Sequence, residues 1–324
     1  MTAMWNQIDT FSIESATGNN TLYANGRQSI KVRVAVKVVD VNNKPVILTD
    51  RERSTITLVN FHGGKEIKYR DARMTSPVDS QYGDWDWSLT KIGGFSYFPA
   101  NGAQTQGQSD GSGTQASGTY YVDIYVRSIS QTPITLAVRI KRDDGISFDS
   151  LEFTSGRLEL QPVPRPVYGL SQYRLDKVTV KQWPKNVTGL SGLVALFYHR
   201  LVFVTGGENL QFKSVSLSPD GLYAHPDFDV YQASVVGFTE PGNNQISYLY
   251  PHAAMPSKLE LSPAPGEIFF VETGLAGKSA GDIYQAASKK DTLACTVNAV
   301  DVYGNLHQIN MRFQTNNSWQ PELY

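Results

Sequence analysis

The 324-residue chain holds a single cysteine, so neither a disulfide framework nor a zinc site of clustered thiolates is open to it. It also lacks an excess of either charge: 29 Lys and Arg face 30 Asp and Glu, for a net charge of −1. No basic half hides inside that total, because residues 1–160 carry 17 basic and 17 acidic side chains. Nucleic-acid binding driven by counterion release needs such an excess, and no nucleic-acid partner is expected. Apolar runs of the roughly 18–20 residues that cross a bilayer as a helix are missing too. The longest, Leu193–Val204, is broken by Tyr198, His199 and Arg200. Residues Met1 to Asp9 show neither a basic stretch nor an apolar core, and no Sec signal peptide is expected. The expectation is a chain made soluble that works outside the cell or in a particle, or otherwise in the cytoplasm. Disorder is excluded from the other side, since 40% of residues are hydrophobic and only 18% are charged.

What the sequence has is alternation. Ile30, Val32, Val34, Val36 and Val38 are interleaved with Lys31, Arg33, Ala35 and Lys37. That spacing predicts a half-buried antiparallel strand with valines on one face and mostly cations on the other. The period of two recurs over 122–127, 136–140, 293–297 and 309–313. Shorter candidates lie at 55–59, 175–180, 210–217, 231–238, 246–250 and 268–271. Turn residues separate them, as in Asn42-Asn43-Lys44-Pro45 and Pro241-Gly242-Asn243-Asn244.

A helix is predicted only over Ser279–Lys290, with Ser279 as N-cap, Ile283, Ala286 and Ala287 on one side and Lys289 and Lys290 at the end. Many short strands, Gly/Pro turns and at most one short helix predict an all-β chain of two antiparallel β-sandwich domains. Prolines at 162, 164 and 166 favour an extended linker and divide the chain into 1–164 and 165–324. Within the first domain, residues 101–118 contain no large apolar side chain. They are expected to form a long polar tip loop, either a connector or a contact loop.

Several motifs carry chemistry on paper. Gly277-Lys278-Ser279-Ala280-Gly281 fits G-x-S-x-G, and Asp301 and His307 follow in serine-hydrolase order. Residues 107–111 fit the same pattern inside a Gly/Ser tract, and no strand–helix–strand unit surrounds Ser279. Gly277-Lys278-Ser279 also imitates the end of a phosphate loop, but Glu272 stands where the first glycine is needed. His62, His199, His225, His252 and His307 are scattered. Asp79, Asp84 and Asp86, or the segment His225–Asp229, could offer oxygens to calcium but lack the spacing of a calcium loop. No cofactor and no metal are expected. Cys295 falls in phase with Leu293 and Val297, which predicts a buried, inert thiol.

The most informative cluster is Tyr82-Gly83-Asp84-Trp85-Asp86-Trp87, followed by Phe95-Ser96-Tyr97-Phe98. In an extended chain Trp85 and Trp87 share one face, and Asp84 and Asp86 the other. The indoles either fill the sandwich core or form a contact surface. Such a surface would anchor a protein, or stack on sugar rings whose hydroxyls bind the carboxylates. The candidate contact residues are Asp84, Trp85, Asp86, Trp87, Tyr97, Tyr120 and Tyr121.

Residues 22–46 place Asn25-Gly26 before the alternating strand, which leads into the turn Asp40-Val41-Asn42-Asn43-Lys44-Pro45-Val46. This resembles the strand–turn signature of bacterial immunoglobulin-like repeats of invasin-type adhesins. Val300-Asp301-Val302-Tyr303-Gly304-Asn305 echoes its turn. The resemblance implies immunoglobulin-like sandwiches and an adhesive surface role, although tandem repeats of constant length are absent.

The leading expectation is a non-enzymatic structural or receptor-contacting protein of an extracellular particle, fibre or adhesive assembly, with protein partners or self-assembly. A lectin-like or toxin-type module binding host glycans or membranes is the alternative, and a serine hydrolase using Ser279 is the second.

Overall fold

The computed structural model describes residues 4–71, 73–99, 113–114, 118–182, 191–204, 210–227, 232–314 and 320–324. Of the expected tip loop, 101–112 and 115–117 lie outside the described residues. The chain is all-β and divides into two units, Met1–Arg165 with Tyr303–Asn305, and Pro166–Val302 with Leu306–Tyr324.

The first unit holds β1 (Gln7–Ser15), β2 (Thr21–Tyr23), β3 (Ser29–Val39), β4 (Pro45–Val46), β5 (Thr57–Asn60) and β6 (Lys68–Tyr69). They are followed by β7 (Trp85–Ser88), β8 (Gly113–Thr114), β9 (Tyr120–Ser128), β10 (Ile134–Lys141), β11 (Ser147–Asp149) and β12 (Arg157–Val163). The larger sheet runs β1-β3-β9-β7-β6, with β4 on β3 and β8 on β9. The smaller runs β11-β10-β12-β2, with β5 also on β10. Among the described residues the pairing is antiparallel except for β6 on β7 and β2 on β12. Val32, Val34, Val36 and Val38 are wholly buried and belong to one core with Leu58, Leu136, Val138, Ile140 and Leu160. Each such side chain contributes about 1.5–3 kcal/mol of transfer free energy.

The second face of β3 differs from expectation. Lys31 is 4% exposed, with its ammonium 3.0 Å from Asp123 on β9, and Arg33 forks onto the same carboxylate at 2.8 and 3.1 Å. The strand is therefore buried on both faces. Alternation along one strand cannot reveal that register sets Asp123 directly opposite Arg33.

A helix that hydrophobic periodicity misses, α1 (Asp50–Ser54), precedes β5. Its signal is a capping box: the Glu52 N–H donates to the Thr49 hydroxyl and the Thr49 N–H donates to the Glu52 carboxylate. Glu52 is buried and also accepts the Trp5 indole N–H at 2.8 Å. The proline-rich linker begins later than the sequence suggests, because β12 continues through Pro162 to Val163, beside Leu22 and Tyr23.

The second unit holds β13 (Tyr173–Gln182), β14 (Gly192–Phe203), β15 (Phe212–Ser218), β16 (Leu222–Asp227), β17 (Gln232–Thr239) and β18 (Ile246–Ser247). Next come β19 (Ile268–Ala276), α2 (Lys278–Ala286), β20 (Ala294–Asp301), β21 (Leu306–Phe313) and β22 (Pro321–Leu323). One sheet runs β13-β14-β19-β17-β16 with β18 on β17, the other β15-β20-β21-β22. Their shared core includes Phe203, Leu222, Val236, Phe270, Val297 and Met311. The long apolar run is β14. It buries both faces because Leu196 and Tyr198 pack outward against Leu259, Phe269 and Val271. Ala280 and Ile283 of α2 pack with Ala233, Val235 and Leu275. Among the described residues no helix is long and apolar enough to cross a membrane.

Candidate functional site: an aromatic groove in the first unit

β7 pairs with β9 on one side and β6 on the other, so alternation sends Trp85 and Trp87 to the core face and Asp86 to the opposite face. Trp87 is 5% exposed; its indole N–H donates to the Ile67 carbonyl at 2.9 Å, and its ring meets Tyr69 edge-on at 4.9 Å. Trp85 is partly buried against the same core. On β9, Tyr120, Val122 and Ile124 share that face and, with Trp87, line a groove of about 600 Å³. Ile56, Val122 and Ile124 are its buried aliphatic interior, while Tyr69 and Leu89 are half exposed at 50% and 51%.

Arg53, from α1, supplies the charge in the groove lining. Its guanidinium carbon sits 5.0 Å over the Tyr120 ring centroid. Nη1 donates to Asp50 and Nη2 to the Thr114 hydroxyl, each at 3.3 Å. Nε is buried and has no hydrogen-bond partner among the described residues. Burial raises the Tyr120 hydroxyl above its ordinary pKa, against the pull of Arg53.

Of the seven candidate contact residues, Trp87 and Tyr120 line this groove, and Trp85 lies on the same face outside its lining. Asp84 is exposed, and its carbonyl accepts the Ile129 N–H and the Ser128 hydroxyl at 3.0 Å each. Asp86, 2% exposed, is bound to Arg127 and Arg70. Tyr121 alternates onto the opposite face of β9, in register with Ala35. Tyr97 lies in a loop with the Lys91 ammonium 3.8 Å from its ring centroid. Sequence reading missed Ile56, Arg53, Tyr69 and Leu89. They come from three short segments, 53–56, 69 and 89, that only the fold assembles; the capping box of α1 was the one available local signal.

The serine motif has part of its expected setting. Gly277, at φ +58°, turns β19 into α2, and Ser279 is 8% exposed in the first turn of that helix. Yet β19 is antiparallel to both neighbours, unlike the parallel strand of a hydrolase elbow. His307 has both ring nitrogens engaged, Nε2 with Asp301 at 3.2 Å and Nδ1 with the Tyr173 hydroxyl at 2.7 Å. Its ring stacks on Tyr168, and neither nitrogen is left to take a proton from Ser279. His252 stands 3.5 Å from Asp282 of α2, but its Nδ1 accepts the Ala254 N–H.

Glu272, at the would-be phosphate-loop glycine, is a buried strand residue bound to His199 at 2.8 Å. Of the calcium candidates, Asp79 caps a short turn by accepting the Gln81 N–H, and residues 228–229 lie outside the described residues. Among the described residues no three His, Cys, Asp or Glu side chains are grouped to hold a metal. Cys295 is 5% exposed, and burial pushes its thiol up to about 12.

No family model matches the chain, and no curated protein matches it. Among solved structures it is similar to the Yersinia pseudotuberculosis adhesin InvE, at 12% identity and a TM-score of 0.25, over 97% of this chain and 62% of that one. The chain thus spans less than two thirds of that adhesin's length. It is also similar to domains 4 and 5 of the S-layer protein SbsC, at 10% identity and a TM-score of 0.21, over 94% of this chain and 96% of that one. A third similar structure is the sialic acid binding region of a Streptococcus sanguinis SK1 adhesin bound to 3'sLn, at 10% identity and a TM-score of 0.20, over 97% of this chain and 77% of that one.

Proposed function

We propose that the chain is a non-enzymatic interaction protein of two immunoglobulin-like sandwich domains, 1–164 and 165–324. It serves as a structural or receptor-contacting part of an extracellular particle, fibre or adhesive assembly. The groove carries this reading: a half-exposed rim of Tyr69 and Leu89 over aliphatic Ile56, Val122 and Ile124 is a surface that a partner's anchor can fill. A net charge of −1 leaves the choice of partner to shape and aromatic contact instead of long-range steering. The buried charges on the opposite face of the sheet, Asp86, Arg127 and Arg70, are engaged with each other. A sugar is the weaker occupant, because its hydroxyls would meet aliphatic side chains in the interior. Hydrolysis at Ser279 is weaker still, with both nitrogens of His307 occupied.

The test is sedimentation of the purified full chain at micromolar concentration, beside a Tyr69→Ser/Leu89→Ser variant and a glycan array. Oligomers or co-purifying partners that the variant loses are the expected result. A clean monomer that binds nothing, or assembly indifferent to the substitutions, overturns the reading.

A further inference from the structure

We infer that the groove takes an amphipathic carboxylate of the fatty-acid class, with its apolar chain along Ile56, Val122 and Ile124 and its carboxylate on Arg53. This names the ligand class of the groove and rests on the groove being the contact site of the protein.

Size comes first. A volume of about 600 Å³ falls in the range of small-molecule pockets and exceeds what one protein side chain needs. The chemistry of the walls decides the body of the ligand. The side chains of Ile56, Val122 and Ile124 carry no polar atoms, and three of the polar side chains nearby, Trp87, Ser54 and Thr55, already have partners. The Trp87 indole N–H is bound to the Ile67 carbonyl, and the Ser54 hydroxyl to the Arg51 carbonyl. The Thr55 hydroxyl donates to the Glu52 carbonyl and accepts the Lys141 N–H. A ligand lying along Ile56, Val122 and Ile124 must be apolar where it meets them, or its own polar groups stay unsatisfied there.

Arg53 decides the head. Its two long hydrogen bonds reach Asp50, whose side chain is fully exposed, and Thr114, and use one N–H each of Nη1 and Nη2. Among the described residues the titratable groups facing it are Asp50 and Tyr120, and Tyr120 has no charge to offer while protonated. A guanidinium end whose Nη1 and Nη2 each keep a second N–H is matched by a carboxylate, which accepts two parallel hydrogen bonds.

The experiment titrates the full chain, below micelle formation, with decanoate, decanol and acetate while following the Trp87 indole N–H resonance. Decanoate should shift the resonance saturably, decanol should bind about tenfold more weakly or less, and acetate should leave it unmoved. Arg53→Gln should lower decanoate to the level of decanol without changing decanol, and Arg53→Lys should restore part of the difference. Equal affinity for decanoate and decanol overturns the inference and leaves the groove as an apolar contact site. Absence of binding by either probe overturns it too. In that case the Tyr69→Ser/Leu89→Ser variant shows whether the functional reading falls with it.

Discussion

Asp86 and Arg127 stand directly opposite each other on β7 and β9, joined by two nearly parallel hydrogen bonds of 3.0 and 2.8 Å. Arg70 adds a third contact to the same carboxylate at 2.7 Å, and all three side chains are buried. The face of the sheet that alternation marks as polar is a closed ionic layer. Ser76 lies over it, accepting Arg127 Nη1 on its carbonyl and Arg70 Nη1 on its hydroxyl.

Removing the carboxylate would leave two guanidinium groups buried without their counter-ion. Asp86→Ala should therefore cost the first unit about 3–5 kcal/mol, read from urea unfolding followed at the Trp87 indole resonance. A cost below about 1 kcal/mol would mean that water reaches the layer.

Tyr69 and Leu89 lie on the other face, half exposed at the groove rim. Leu89→Ser should cost about 1 kcal/mol, and Tyr69→Ser, which also removes the edge-on contact with Trp87, about 1–2 kcal/mol in the same unfolding experiment. Any effect on assembly then comes from the lost contact. A large loss of stability would instead make these side chains part of the core.

Cys295 gives a pH prediction with a definite sign. Its buried thiol titrates near 12, above the unfolded value of about 8.5. Between these values the unfolded chain releases a proton that the folded chain keeps, so stability falls as pH rises, by at most about 1.4 kcal/mol per unit. Cys295→Ser should flatten that part of the stability profile. The native thiol should also resist alkylation until the chain unfolds.

His307 should prove structural. His307→Ala would strip the buried Tyr173 hydroxyl of its partner and remove one contact of Asp301, at a cost of about 1–3 kcal/mol in thermal or urea unfolding. A fluorophosphonate probe should fail to label Ser279; labelling would reopen the hydrolase reading.

Much of the architecture was legible. The alternation in 30–38, 122–127 and 136–140 became β3, β9 and β10, and the apolar side of 279–290 became α2, which ends earlier at Ala286. That Trp85 and Trp87 share a face followed from their spacing alone. What they face, and the burial of Lys31 and Asp86, depended on cross-strand register, which no single segment encodes. The groove was illegible for a related reason. Arg53, Tyr69 and Leu89 are unremarkable in their own segments and acquire a shared role only when α1, β6 and β7 converge on β9.

On the proposed function, the protein makes its contact through this groove. A photo-reactive amino acid placed at Leu89, compared with one at the equally exposed Ile146, tests it most directly. Position 89 should give a cross-linked adduct in the assembled state that Tyr69→Ser abolishes, and position 146 none. Adducts of equal yield from both positions, or none from position 89 in a demonstrable assembly, would contradict it.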